Sequence, residues 1–249
     1  DYHEILFAKL EALCVFLNTS FQAEGFSFVD KHPVLERFWA WRSGLGWVGK
    51  NSMLINRKQG SYFFLGGIFT SLKLENDAPE TDHCGRCRKC IDACPTEAIL
   101  ENRTLDARRC IGYHTIENRE TVPEPVLENF GRWVAGGDIC QEVCPWNDLY
   151  LRKNTQSESI STNPLLQLTL SQLAEWAPNE FKEKLKGFAM SRMKYAGFLR
   201  NTAVAIAHSS LSAKEKEISL QKIRSRAQST CSEKDSNTVL QAVDWALKA

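Results

Sequence analysis

The sequence predicts an α+β chain in three parts: an α/β layer over 1–76, a cysteine-rich segment with little regular structure over 77–150, and a succession of helices over 151–249. Three observations carry that expectation. Apolar residues in the first part switch between helical spacing and strand-like alternation. Seven of the nine cysteines crowd between Cys84 and Cys144. After Pro164, helix-compatible stretches follow one another with no strand-like run between them.

The elements follow in order. Ile5, Leu6, Leu10, Leu13, Phe16 and Leu17 recur at helical spacing, so 2–18 should form an amphipathic helix with Cys14 on its apolar face as a small core residue. Phe26, Phe28 and Val29 form a short strand-like run that stops at Asp30, and Pro33 suits the first turn of a helix reaching Trp41. Gly44, Gly46 and Gly49 end that helix. Residues 53–55 and 61–70 alternate as two strands joined by the polar turn 56–60. In the last part, helices are expected over 171–176, 180–186, 190–208, 213–227 and 237–247, separated by Pro178, Gly187 and polar links.

Composition sets ordinary bounds. A chain of 249 residues suits one large domain or two to three modest ones, and a net charge of +1 with 43% hydrophobic residues describes a soluble globular protein without overall electrostatic bias. No apolar run is long enough to span a membrane. The chain starts at Asp1 rather than Met and is already in a helix pattern, so it reads as a fragment whose beginning is missing. No signal peptide is visible, and a cytoplasmic setting is expected.

Cys84, Cys87, Cys90 and Cys94, followed by Pro95, have the spacing C-x2-C-x2-C-x3-C-P. In bacterial ferredoxins three thiolates of such a run hold one 4Fe-4S cubane and the fourth reaches across to another. Cys140, Cys144 and Pro145 form a second, shorter run, with Cys110 between the two. Tetrahedral zinc is a poorer fit, since it uses paired Cys-x-x-Cys units. Disulfides would need an oxidising compartment, and cysteines this crowded could not pair without strain. Cross-ligation then assigns Cys84, Cys87, Cys90 and Cys144 to the first cluster and Cys94, Cys110 and Cys140 to the second. Cys231, like Cys14, stands apart.

Between Glu180 and Arg200 there are six Lys or Arg against two Glu, interleaved with Phe181, Phe188, Tyr195 and Phe198. This suits either a solvated helix face over an ordinary core or a positive stripe for a phosphate backbone.

Several blocks resemble the epoxyqueuosine reductases. The run Phe28 to Arg37 is similar to their VD-x-x-PVLER segment, and 44–52 and 60–66 are similar to the segments that follow it. The likeness continues through Cys84 to Thr96, Leu105 to Ile111 and Cys140 to Asn147, and Leu199 to Ala205 resembles that family's HEAT-like repeat. The resemblance implies an oxidoreductase that reduces epoxyqueuosine to queuosine at the wobble position of tRNA. Electrons from an external donor would pass through two 4Fe-4S clusters to a base-off cobalamin. It implies that Asp30 is the proton donor and that Asp30, Lys50, Asn51, Ser61 and Gly112 lie at the cobalamin. The basic tail becomes a tRNA surface, with Lys194, Arg200 and Asn201 as candidate contacts.

The chemistry agrees independently on one point: opening an epoxide leaves an alkoxide unless a proton arrives with bond cleavage. Apolar neighbours at Phe26, Phe28, Val29 and Val34 could raise an aspartic acid into a useful range. Locally, Asp30 could equally cap the helix that Pro33 opens.

Three departures from the family pattern stand out. Gly137 occupies the place of a usual cysteine, Gly112 that of a usual serine, and Leu65-Gly66-Gly67-Ile68 replaces Leu-Gly-Glu-Ile. Without a thiolate at 137, the second cluster is expected to be the labile one, its exposed iron taking water or another side chain, or being lost. A reductive dehalogenase also joins cobalamin to two such clusters, but it is usually exported and lacks the helical tail. A non-catalytic electron-transfer module is the other alternative.

Overall fold

The computed structural model describes residues 1–148 and 164–249. In chain order the elements are α1 (Tyr2–Phe21), β1 (Gly25–Phe28), α2 (Glu36–Arg42), β2 (Trp47–Val48), β3 (Leu54–Ile55), β4 (Gly67–Thr70), α3 (Lys89–Asp92), α4 (Ile111–Ile116), α5 (Glu124–Glu128) and α6 (Ile139–Glu142). After the undescribed residues come α7 (Leu170–Leu173), α8 (Pro178–Lys184), α9 (Lys194–Ala207), α10 (Ala213–Thr230) and α11 (Glu233–Ala246). Short 3-10 turns precede α7 and α9.

The chain forms two compact units. Among the described residues, the first gathers 1–91, 101–104 and 141–148, and the second 92–100, 105–140 and 164–249. These limits differ from the divisions expected at 76 and 150. Residues 105–140 contribute Val122, Val126, Leu127 and Phe130 to the same core as the helical tail, so the cysteine segment is not a body of its own.

In the first unit, Asp1 caps α1 by accepting from the His3 amide at 3.0 Å, and Gln22 ends the helix in the left-handed region at φ 54°. α1 packs on β1 and β4, which pair antiparallel with Gly25 opposite Thr70 and Phe28 opposite Gly67. A ribbon of two strands covers little of a helix of 20 residues. The apolar face expected to be core is therefore open: Ile5, Leu13 and Phe16 are 61%, 46% and 52% exposed.

The expected hairpin over 53–70 does not form. β3 pairs back onto β2, with Trp47 opposite Ile55, while β4 joins β1. Gly60 is the reason: at φ +67° it turns the chain so tightly against Asn147 that a side chain there would collide with it. Residues 62–66 then run without a ladder.

The second unit is helical. Gly197 to Ile206 of α9 are all buried, so this helix is central rather than amphipathic, and α10 and α11 pack on it. Leu199, Ile206, Leu220, Ile223, Val239 and Val243 meet in the core. Ser212 and Ser232 cap α10 and α11, each accepting from a backbone N–H three residues on. The single helix expected over 190–208 is broken at Lys194, whose φ of 61° lets α9 change direction into the core. Among the described residues no helix is long and apolar enough to cross a membrane.

Candidate iron–sulfur and proton-donor sites

Cys84, Cys87, Cys90 and Cys144 line one cavity of about 270 Å³ in the first unit. Local turns aim them. The Cys87 amide donates to the Cys84 carbonyl at 3.0 Å, the intervening Gly85 is left-handed at φ +49°, and α3 carries Cys90. Asp82 accepts from the Cys84 amide at 3.1 Å, and a hydrogen bond from Arg103 holds its carboxyl down at about 2.

Burial pushes the Cys90 thiol up, and negative charge on Cys84, Cys144 and Cys87 pushes it further. Burial likewise raises Cys144, against the pull of the Trp146 and Asn147 amides. A cationic group bound here would offset the cost that burial imposes on ionising Cys90 and Cys144. Among the described residues no three His, Cys, Asp or Glu side chains close on a single ion. A cavity walled by four thiols fits a four-iron cubane.

Three further side chains belong to this site. Trp47 Nε1 donates to Cys84 Sγ at 3.4 Å, with the indole edge-on to Trp146 at 5.0 Å. Lys50 Nζ donates to the Gly85 and Cys87 carbonyls at 2.9 and 2.8 Å. Asn51 is buried and also lines the cavity. Lys50 and Asn51, expected at the corrin, are thus part of the thiol cavity.

Ser61 is spent as well. Its amide donates to Asn147 Oδ1 at 2.6 Å, and Asn147 Nδ2 donates to Ser61 Oγ at 2.9 Å and to the Gln141 carbonyl at 2.8 Å, which braces the turn bearing Cys144. A cation fixed over the cluster loop should favour the reduced, more negative cluster. Replacing Lys50 with Met is expected to move that cluster's midpoint to a more negative potential in an EPR-monitored titration, while Lys50→Arg keeps most of it. Equal midpoints in all three proteins would make Lys50 a loop tether only.

Cys94, Cys110 and Cys140 fall in the second unit. Cys94 Sγ accepts from the Ala98 amide at 3.3 Å. Ile99 bridges Leu105, and the Asp106 amide donates to the Ala98 carbonyl at 2.8 Å, which ties the Cys94 segment to the one leading into Cys110. Cys110 is the N-cap of α4. Thr115 Oγ1 donates to the Gly136 carbonyl at 2.7 Å, seating the turn that precedes Cys140 on the same helix. Gly112, expected at the corrin, is the α4 residue against which Gly137 packs.

Asp30 lies in the first unit, in the loop after β1, at φ 47°. Its amide donates to Glu36, and Tyr2 Oη donates to its Oδ2 at 2.9 Å. His3 Nε2 is 3.6 Å from the same oxygen. The helix-cap alternative fails, because α2 starts at Glu36 with Leu35 as its N-cap. The expected apolar cover is also missing: Phe28 and Val29 are buried, whereas the Asp30 side chain is 42% exposed. It opens onto a cavity of about 450 Å³ whose wall combines Val34, Leu35, Phe38, Trp41 and Val48 with Glu36, Arg37 and Ser52. Leu35 and Phe38 are 74% and 45% exposed.

Of the three candidate tRNA contacts, only Lys194 is exposed. Arg200 is 1% exposed and donates to the carbonyls of His114, Asn118 and Glu120. Asn201 is fully buried and donates to the Thr115 and Val134 carbonyls at 2.9 and 2.8 Å. Neither reaches a phosphate; both hold 114–134 to α9. The interleaved aromatics divide in the same way. Phe181 and Phe198 are core residues with ring centroids 5.2 Å apart, and Phe188 is exposed.

Residues 83–147 match the 4Fe-4S double cluster binding domain. Over 203 residues the chain is 42% identical to the epoxyqueuosine reductase of Synechocystis sp., an alignment covering 81% of this chain and 70% of that one. The chain belongs to the epoxyqueuosine reductase family. Solved structures agree. The epoxyqueuosine reductase of Streptococcus thermophilus superposes with a TM-score of 0.81 at 27% identity, covering 100% of this chain and 65% of that one. An epoxyqueuosine reductase crystallised with an epoxyqueuosine-modified tRNA-Tyr stem loop superposes with a TM-score of 0.74 at 26% identity, covering 100% and 73%.

Within this oxidoreductase family member, the residues that spacing alone did not single out are Trp47, Tyr2 and Asn147. Asn147 had a signal, since it closes the Cys-Pro-Trp-Asn run. Trp47 lies within the 44–52 block, where nothing local marks Cys84 as its partner, and Tyr2 had no signal.

Proposed function

We propose that this chain is the cluster-bearing part of an enzyme that reduces epoxyqueuosine to queuosine in tRNA, with Asp30 as proton donor. In this reading 1–76 faces cobalamin, 77–150 carries the two clusters, and the HEAT-like helical part over 151–249 faces the tRNA. The observation that carries it is the set of four thiols around one cavity, inside a segment that matches a double-cluster domain in a member of this family. Cys84, Cys87, Cys90 and Cys144 would hold the first cluster, and Cys94, Cys110 and Cys140 the second.

Clusters and cobalamin, when bound, supply the electrons and the nucleophilic metal that an epoxide carbon requires. The apolar wall of Leu35, Phe38 and Val48 would seat the corrin and keep water from the reacting bond. Asp30 would protonate the oxygen as the C–O bond breaks, so that no free alkoxide forms. Tyr2 Oη, donating to Asp30 Oδ2, would leave the other carboxyl oxygen to carry the proton. Lys182, Lys184, Lys186 and Lys194 are exposed and would track the tRNA backbone.

The direct test incubates full-length protein, reconstituted with clusters and cobalamin, with a reductant and epoxyqueuosine-containing tRNA. Mass analysis of the anticodon nucleosides is expected to show queuosine appearing as epoxyqueuosine disappears. An unchanged nucleoside, with clusters and corrin demonstrably loaded, would overturn the reading. For the tRNA surface, Lys194→Glu should weaken binding and lower the slope of log affinity against log salt by about 1. A salt-insensitive affinity would remove the lysine stripe from the interface.

A further inference from the structure

The double-cluster segment has seven cysteines, and cubanes held by thiolate alone take four apiece. The first cavity uses a full set. Cys94, Cys110 and Cys140 remain, one thiolate short. The chain's other two cysteines are placed elsewhere. Cys14 lies on α1, so close to Gly25 that a Cβ there would sit 2.9 Å from its sulfur. Cys231 follows α10 and lines a separate cavity with Lys194, Tyr195 and Asp235.

Gly137 is not an empty seat awaiting a thiol. A Cβ built on it would lie 2.6 Å from the Gly112 amide nitrogen and 3.1 Å from Ile111 Cβ. The Gly136 carbonyl is held by Thr115, so the turn cannot lift away without breaking that bond. The backbone has closed onto α4 where a ligand side chain would start, and α4 itself begins at the ligand Cys110. Two glycines in contact, Gly112 and Gly137, make this approach possible. A side chain at 137 would have to displace backbone rather than a flexible neighbour.

We infer that the cluster of the second unit is held by three thiolates and leaves one iron to an exchangeable, non-protein ligand: a small anionic donor such as hydroxide, cyanide or a small thiolate. This rests on the cluster assignment above and not on the identity of the substrate. The open iron is the site at which that cluster binds exogenous ligands and from which it first loses metal.

The experiment uses full-length protein reconstituted anaerobically with iron and sulfide, reduced, and followed by EPR. Cyanide, and separately 2-mercaptoethanol, should shift one of two cluster signals and leave the other unchanged, and Cys110→Ala should abolish the responsive one. Mild oxidation should convert the same cluster, with loss of one electron and one ferrous ion, to a three-iron signal that ferrous iron added together with a reductant reverses. Two signals that both ignore cyanide and thiol would overturn the inference.

A change in the responsive signal in Asp138→Asn or Cys231→Ala would also overturn it, because a protein side chain would then be the ligand. Gly137→Cys is expected to lower stability and leave cyanide sensitivity in place. A stable Gly137→Cys protein whose clusters are both cyanide-insensitive would show that the closed backbone had been misread. If only one cluster assembles in the wild-type protein, the three-thiolate assignment itself falls, and that failure is distinct from a failure to turn over tRNA.

Discussion

Replacing Asp30 with Asn should lower the rate of epoxide reduction by about 100-fold or more while both clusters and the fold remain. The amide is nearly isosteric with the carboxyl, and its oxygen can still accept from Tyr2 Oη, which donates to Asp30 Oδ2 at 2.9 Å. What it cannot do is give up a proton to the opening epoxide. Because the Asp30 side chain is 42% exposed, the substitution should move the unfolding midpoint very little. Tyr2→Phe is the graded companion. It removes one hydrogen bond to the acid, worth about 1 kcal/mol, so a loss of roughly fivefold is expected. Single-turnover rates on loaded enzyme decide the matter. An Asn variant that turns over at the wild-type rate would reduce Asp30 to a loop residue, whatever its neighbours.

The second large effect is structural. Arg200→Met should destabilise the helical unit by roughly 3–5 kcal/mol, because the buried His114 and Asn118 carbonyls lose a charged donor and the Glu120 carbonyl is left with Asn118 Nδ2 at 3.1 Å. The guanidinium donates to Asn118 O at 3.1 Å, to Glu120 O at 2.9 Å and to His114 O, and it also reaches Asn201 Oδ1 at 3.1 Å. Desolvation, with repulsion from Arg119, pulls its pKa down to about 10, which still leaves it charged at neutral pH.

The folded state therefore binds fewer protons than the unfolded one only above about 10, and there the contribution of this group to stability rises with pH. Below that range the penalty for Met should be independent of pH. Lysine, a point donor with no planar fork, should recover only part of the loss. Urea unfolding at neutral pH measures the effect. A variant of wild-type stability that binds tRNA poorly would instead return Arg200 to the nucleic-acid surface.

Arg200 also shows where sequence reading stops. A basic, aromatic stretch is compatible with a phosphate-binding face and with a core helix, and the difference lies in which way each side chain turns. That depends on His114, Asn118 and Glu120, some 80 residues earlier, whose carbonyls needed a buried donor. Lys50 is a similar case. Its place in a glycine-rich turn was legible, whereas its partners, Gly85 and Cys87, come from a loop 35 residues on. The open face of α1 is the converse case: helical spacing predicts the helix, and its apolar face stays exposed. Spacing establishes that a face exists, and only neighbouring elements decide whether it is covered.

By itself the sequence determined what is set by short covalent spacing. Cys84, Cys87 and Cys90 must converge because two-residue gaps leave the backbone few ways to separate their thiols, and the helices of the tail follow from periodicity over one or two turns. Tertiary structure alone decided everything that depends on distant segments meeting. It turned Arg200 and Asn201 inward, left Asp30 open beside Tyr2, and closed the backbone of Gly137 onto Gly112. Local propensity acts over a few residues, whereas the need to satisfy buried polar groups and fill space is settled among residues that the chain keeps far apart.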